Sequence, residues 1–168
     1  MRILILALLL FPATVVAQSP SADDYRATLD SCYAQAERAD DLDACRSLLS
    51  DACIAGEPQG QTTRGTSMCL QAEFQVWDER LNIEYRATMA RLRSIDDFDR
   101  TTSPEFAVRA ERLRDAQRAW IVFRDADCAV EYALWSNGSL RLIAGPSCLA
   151  QRTFERLKTL INLREQLN

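Results

Sequence analysis

The residues from Gln117 to Cys128 combine two aromatic side chains with Gln, Arg and Asp, the most distinctive chemistry in the chain. Leu113, Gln117, Trp120 and Arg124 are spaced by four, three and four positions, so they share one face of a helix. A face that mixes polar and apolar groups in this way allows two interpretations. It either contacts a ligand or packs against a facing helix that pairs with its polar groups, and the second is the commoner role of a helical Trp.

A similar mixture occurs earlier in the chain, where Asp78 and Asn82 accompany Trp77. A polar turn between the two helices would fold them back against each other and bring both groups to one level of the bundle. Buried polar groups are normally hydrogen-bonded. We therefore expect Asp78, Asn82, Gln117 and Arg124 to form a buried polar cluster between the two long helices.

Catalytic chemistry finds little support in the residue types present. The chain contains no His, so a Ser or Cys nucleophile would lack its usual base. It has no phosphate-binding loop, dinucleotide-binding glycine pattern or metal-ligand cluster. Glycoside hydrolysis is the enzymatic alternative, and only Asp78, Asp125 and Asp127 have a distinctive setting for it. We predict a protein that is not an enzyme and that needs no cofactor or metal.

The N-terminus has the three parts of a secretory signal peptide. Arg2 supplies positive charge, Ile3 to Val16 is an almost unbroken apolar run, and small residues precede a cleavage site after Ala17. That run is short for a bilayer span, and none of comparable hydrophobicity follows, which predicts no membrane insertion of the mature chain. We assign residues 1–17 to the signal peptide and expect a periplasmic or secreted protein.

The charge balance narrows the class of partner. The 168-residue chain has 20 basic and 24 acidic side chains, a formal net charge of −4, and loss of Arg2 makes it more acidic. An acidic chain argues against nucleic acid and mildly favours a cationic protein partner.

All the cysteines lie beyond the signal peptide, and an even number in an exported chain indicates disulfides. They are Cys32, Cys45, Cys53, Cys69, Cys128 and Cys148. Zinc binding is the alternative, but no His is present and no two cysteines have Cys-x-x-Cys spacing.

The N-terminal region indicates a helical hairpin. One helix begins at a capping Ser21, and a second runs from about Leu42 to Ala55 after a turn near Ala39. Cys32 and Cys45 lie almost equally far from that turn, so we pair them.

A glycine-rich loop, Gly56 to Gly65, leads into a long helix that should run from Thr66 or Ser67 to Arg93. Cys53 and Cys69 flank this loop and should be bonded across it. Residues 94–102 then form a polar turn with solvated acidic side chains.

Ser103 should cap the next helix, which runs from Pro104 to about Trp135, antiparallel to the previous one. Its apolar side chains should face the core, and they are Phe106, Ala110, Leu113, Trp120, Phe123, Val130 and Leu134.

A second loop, Ser136 to Pro146, opens with Asn-Gly and closes with Gly-Pro, and the last helix should start at Ser147. Cys128 and Cys148 bracket this loop and should be bonded. A bond from Cys69 to Cys128 is the competing choice, because the long hairpin would bring those two residues near each other.

These elements predict an all-α fold, a disulfide-linked bundle of about five helices around a long antiparallel helical hairpin. Residues 18–65 form an N-terminal helical hairpin and loop packed on the core, and residues 66–168 form the core itself.

An ordered set of motifs lies between Cys69 and Leu157. They are Cys69, Trp77 to Tyr85, Gln117 to Trp120, Phe123 to Cys128, Cys148, and Thr153 to Leu157. Together they resemble the LprI-like lysozyme-inhibitor family over about Cys69 to Leu160. The resemblance implies a helical, cysteine-containing domain of the bacterial envelope, and the family's name suggests that it inhibits a lysozyme. It carries over no inhibitory residue. A structural or adaptor module of the envelope without inhibitory activity is the alternative.

A lysozyme acts with two carboxylates in a cleft, so an inhibitor gains by inserting a projecting loop that carries a cation. Each predicted loop has one such residue, Arg64 in the first and Arg141 in the second. We favour the second loop, because Leu140, Leu142 and Ile143 surround Arg141 with apolar contact area. The alternative is that these aliphatic side chains fold back onto the bundle. The expected partner is a protein, with a cationic lysozyme favoured, and the oligomeric state stays open.

Overall fold

The computed structural model of the protein describes residues 22–167, and the predicted signal peptide lies outside these residues. This part of the chain contains five α-helices, two short 3₁₀-helices and no strand, which confirms the all-α class. The α-helices are α1 Ala22–Gln35, α2 Leu48–Gly56, α3 Thr63–Asp99, α4 Arg109–Ala133 and α5 Arg141–Glu165, and the 3₁₀-helices are Ala39–Cys45 and Pro104–Phe106. No helix within residues 22–167 is both long and apolar enough to cross a bilayer.

The core lies mainly between α3 and α5, which run parallel. Trp77 of α3 meets Phe154 of α5 edge-on, with 4.9 Å between ring centroids, and further along the same helices Glu84 pairs with Arg164. The buried apolar side chains between them include Val76, Leu81, Met89, Leu92, Leu157 and Leu160. The most extensive packing in the described chain therefore joins α3 to α5, although the sequence suggested that α3 and α4 form the centre.

α4 lies antiparallel to α3, as expected, but buries little of its surface. Its first residue, Arg109, pairs with Asp96 late in α3, and Arg124 in its second half pairs with Asp78 earlier in α3. The buried residues of α4 are Leu113, Gln117 and Cys128. Most of this helix therefore faces solvent.

The predicted second helix is interrupted where a carboxylate of α3 caps its second half. In place of one helix from Leu42 to Ala55, the structure has a 3₁₀-helix followed by α2. Between them Ser47 adopts a left-handed conformation with φ of 70°. The buried Glu73 accepts hydrogen bonds from the backbone N–H groups of Ser47 and Ser50, at 2.9 and 2.8 Å, and so caps α2.

A second carboxylate of α3 caps α4. The predicted polar turn at residues 94–102 is wrong, because α3 continues through most of it. Asp96 is buried and accepts hydrogen bonds from the backbone N–H groups of Arg109 and Ala110, at 3.2 and 2.9 Å. Ser103, the predicted cap, makes no side-chain capping bond. An acidic side chain expected in solvent thus fixes where α4 begins.

The first predicted loop is shorter than Gly56 to Gly65. α3 begins at Thr63 and is capped by Thr62, whose hydroxyl accepts a hydrogen bond from the N–H of Gly65 at 3.0 Å. A side chain at Gly65 would collide with the backbone of Gln59. This glycine therefore serves the close approach of a loop to a helix and does not break the helix.

Three disulfides join Cys32 to Cys45, Cys53 to Cys69, and Cys128 to Cys148, the pairing expected from the sequence. The competing bond from Cys69 to Cys128 does not form. Structural disulfides are typical of proteins that fold in oxidising compartments, which fits an exported protein.

Candidate partner-binding surface

The end of the α4–α5 hairpin projects from the bundle, and we call residues 129–142 the tip. The loop between α4 and α5 is residues 134–140, so the predicted bounds, Ser136 to Pro146, are wrong: α4 ends earlier, at Ala133, and α5 begins at Arg141 and contains Pro146. Every residue from 129 to 140 is exposed. The bond between Cys128 and Cys148 holds the two helices together at the base of the tip.

The tip carries large apolar side chains in solvent. They are Val130, Leu134, Trp135, Leu140 and Leu142, with exposed fractions from 41% to 70%. Val130 and Leu134 were predicted to face the core, and that prediction is wrong, because α4 has no second helix over this side. Leu140 and Leu142 are 47% and 41% exposed, whereas Ile143 is half-buried near the start of α5. A cluster of exposed apolar side chains is typical of an interaction site.

Two other predicted core residues, Phe106 and Phe123, are also exposed. The sequence contains a signal for this at Ile121, Val122 and Phe123, which are consecutive. Successive helical residues point about 100° apart, so three of them cannot all face one neighbouring helix. All three are exposed, Val122 by 71%.

Arg141 connects the two sides of the tip. Its guanidinium donates hydrogen bonds to the hydroxyl of Tyr132 and to the carbonyl of Gly138, both at 3.0 Å. Within residues 22–167 no carboxylate oxygen lies within 4.0 Å of this guanidinium. Its side chain is thus ordered by neutral partners, and its charge is not neutralised by an ion pair.

The other cation considered, Arg64, is exposed in the first turn of α3. The loop before it, residues 57–62, contains no large apolar side chain that is exposed. The structure therefore places apolar contact area beside Arg141 and not beside Arg64.

The polar residues of α3 and α4 form two groups instead of the single predicted cluster. Arg124, with 11% of its side chain exposed, pairs with Asp78 at 3.4 Å, and Asn82 donates a hydrogen bond to Asp78 at 2.9 Å. Gln117 is buried but accepts its hydrogen bond from Arg156 of α5, at 2.9 Å. Asn82 is exposed, so the prediction that all four are buried is wrong. Both groups join helices and belong to the scaffold.

The fold and the tip define a disulfide-linked helical domain with an exposed apolar surface suited to a protein partner. The sequence profile of the family described as "Lysozyme inhibitor LprI" matches residues 53–160, and the chain belongs to this family. The matched region begins earlier than the resemblance at Cys69 and contains the whole tip. An uncharacterized protein of Rhizobium meliloti (strain 1021) is 30% identical over 99 residues, which cover 59% of this chain and 71% of that protein. No solved structure gave a significant match.

Proposed function

We propose that this protein binds and inhibits a muramidase by placing the tip against the enzyme's substrate cleft. Membership of the lysozyme-inhibitor family supports the class of activity. The apolar side chains exposed at the tip are the observation that carries the assignment to this surface.

The chemistry of the tip suits such a cleft. Muramidases use a pair of carboxylates, and the guanidinium of Arg141 has no carboxylate of its own chain within reach among residues 22–167. Leu140 and Leu142 on either side would exclude water from the contact, and a charge pair is stronger where the dielectric constant is lower. Arg141 is therefore the central contact, with the two Leu side chains around it.

The tip is also ordered before binding. The bond from Cys128 to Cys148 fixes its base, and the hydrogen bonds of Arg141 to Tyr132 and Gly138 fix its end. Ordering beforehand lowers the entropy lost on docking. A net charge of −4 would attract a cationic lysozyme, and added salt would screen this attraction and weaken it.

An assay of cell-wall lysis tests this proposal, in which a cationic lysozyme lyses the cells and this protein is added as the inhibitor. Purified, oxidised mature protein should inhibit with one-to-one stoichiometry at low salt and less strongly at moderate salt. Arg141→Ala should weaken inhibition by roughly tenfold, because a charge-assisted contact is lost. Arg64→Ala, which removes the exposed cation in the first turn of α3, is the matched control and should leave inhibition unchanged.

Inhibition that Arg141→Ala does not weaken would move the contact away from the tip. No inhibition by the wild-type protein would favour the second candidate, a structural or adaptor module of the envelope. That candidate uses the same exposed apolar surface to hold another protein.

We also propose export with cleavage after Ala17, as the signal pattern predicts. N-terminal sequencing of the exported protein should find Gln18 first. A different first residue would show that the cleavage site is elsewhere.

A further inference from the structure

A groove of about 520 Å³ opens at the end of the bundle opposite the tip, between the start of α4 and the end of α5. Its apolar lining includes Leu92, Phe106, Val108, Leu113, Leu160 and Leu163. The volume lies within the range of roughly 300–1,000 Å³ that is usual for small-molecule sites. This groove is distant along α4 and α5 from the surface assigned to a muramidase.

Four charged side chains line the same groove, and their balance is positive. Arg109 is neutralised by two Asp side chains of α3, at 3.3 and 2.8 Å. Arg112 and Arg156 have no carboxylate oxygen within 4.0 Å in the described chain, and Glu105 has no basic partner there. The guanidinium of Arg156 and that of the exposed Arg112 are therefore the cations of this groove that no carboxylate of the described chain pairs with.

Arg156 is the most buried of these cations. Its Nε donates to the side-chain oxygen of Gln117 at 2.9 Å, and its guanidinium carbon lies 5.8 Å from the ring centroid of Trp120. The two terminal nitrogens make no hydrogen bond to the described chain, and neither is sealed from solvent. Burial lowers the pKa of Arg156, as expected for a cation that is partly removed from water without a carboxylate to offset the cost.

We propose that this groove binds a fatty acid, with its carboxylate on the guanidinium of Arg156 and its alkyl chain along the apolar lining. A guanidinium has paired donors that match a carboxylate. The guanidinium of Arg156, which has no carboxylate partner in the described chain, favours an anionic head group, and one apolar groove accommodates one chain. Arg112 lies at the exposed rim and adds to the attraction. This inference is independent of the muramidase proposal.

Titration with decanoate below its micelle concentration tests the inference, by calorimetry and by the fluorescence of Trp120 beside Arg156. Oxidised mature protein should bind one decanoate. Decan-1-ol, which lacks the charge, should bind at least tenfold more weakly, and decyltrimethylammonium should not compete. Arg156→Gln should weaken decanoate binding by roughly tenfold or more, because one charge-assisted contact is lost. Arg118→Gln, on an exposed part of α4 outside the groove, is the matched control and should bind normally.

Circular dichroism shows whether Arg156→Gln keeps the helical fold. If it does not, Arg112→Gln at the exposed rim takes its place and should weaken binding several-fold. Equal affinity for decanoate and decan-1-ol overturns the inference, as does binding that the Arg substitutions leave unchanged. Absence of saturable binding also overturns it. Lysozyme plays no part in the assay, so this result and that of the lysis assay are separate.

Discussion

The two ends of the α4–α5 pair differ in what holds them. At the groove end, the buried carboxylate of Asp96 caps α4 and pairs with Arg109. At the tip, every residue from 129 to 140 is exposed. A disulfide fixes its base, and hydrogen bonds such as that from Arg141 to Tyr132 fix its end. The first end is concave and fixed by buried polar contacts. The second end is convex and exposes its apolar side chains.

Residue type alone does not distinguish these two ends. Leu134 at the tip is 70% exposed, whereas Leu160 beside the groove is 1% exposed. The difference is the third helix, because Leu160 of α5 packs with residues of α3 and α4 in the core and nothing in the described chain covers Leu134. An apolar residue of the α4–α5 pair therefore belongs to the core only where a third helix also covers it. Elsewhere the same residue types form a surface that a partner can bind.

Loss of the disulfide at the base of the tip should have the largest effect. Replacing Cys128 and Cys148 by Ser removes a bond that closes a 20-residue separation, which should cost about 3 kcal/mol of unfolding free energy. Urea denaturation measures the cost. Hydrogen exchange should rise within residues 129–142 and stay unchanged at the start of α4.

Replacing Cys32 and Cys45 by Ser is the control for this experiment. It removes a different bridge, so it should also destabilise the protein but leave exchange at the tip unchanged. Unchanged exchange at the tip in the Cys128 and Cys148 variant would contradict the idea that the disulfide holds it.

Arg124→Ala should have the next largest effect, since the side chain of Arg124 is only 11% exposed and joins α4 to α3. The substitution removes the ion pair with Asp78 and the packing of the guanidinium on the rings of Phe74 and Trp120, at a combined cost of roughly 1–3 kcal/mol. Thermal melting should show a lower midpoint, and Arg118→Ala, on an exposed part of the same helix, should melt like the wild type. An unchanged midpoint combined with lost inhibition would show that Arg124 contacts a partner in solution.

Local spacing was enough to predict much of this fold. The positions of the cysteines on either side of a turn or loop predicted all three bridges. The starts of α2 and α4 could not be predicted in this way, because Glu73 and Asp96 cap them from a different helix.

A trace of these caps was nevertheless present in the sequence of α3. Glu73 and Asp96 each lie four positions from a core residue, Trp77 and Leu92 respectively, where a solvated carboxylate is not expected. Acidic residues at apolar positions indicate buried partners, but they do not say which element supplies the partners.

Removal of the Asp96 cap should have a smaller effect that depends on pH. Burial by itself would raise the pKa of Asp96, but the hydrogen bonds from Ala110 and Arg109 outweigh it and lower the pKa. A lowered pKa in the folded state means that the stabilisation is complete above about pH 4 and is lost as pH falls through the folded value. Asp96→Ala should thus cost about 1 kcal/mol at pH 7 and less at pH 3.

Urea unfolding at both pH values measures this difference. Asp97→Ala is the matched control, because Asp97 is exposed and pairs only with the exposed Arg100. The control should change little at either pH. A cost for Asp96→Ala that is the same at pH 7 and pH 3 would show that the charge of the carboxylate is not what caps α4.

The smallest effect on stability should come from Leu134→Ser at the tip. This side chain is 70% exposed, so its loss removes little buried area and should change the unfolding free energy by less than about 0.5 kcal/mol. Leu160→Ala at the groove end is the matched core substitution and should cost roughly 2–5 kcal/mol. Urea unfolding compares the stability of the two variants. In the lysis assay, Leu134→Ser should inhibit several-fold more weakly than the wild type although its stability is nearly unchanged. A loss of 2 kcal/mol or more for Leu134→Ser would mean that the tip packs on the bundle in solution, and the distinction between a fixed end and an exposed end would fail.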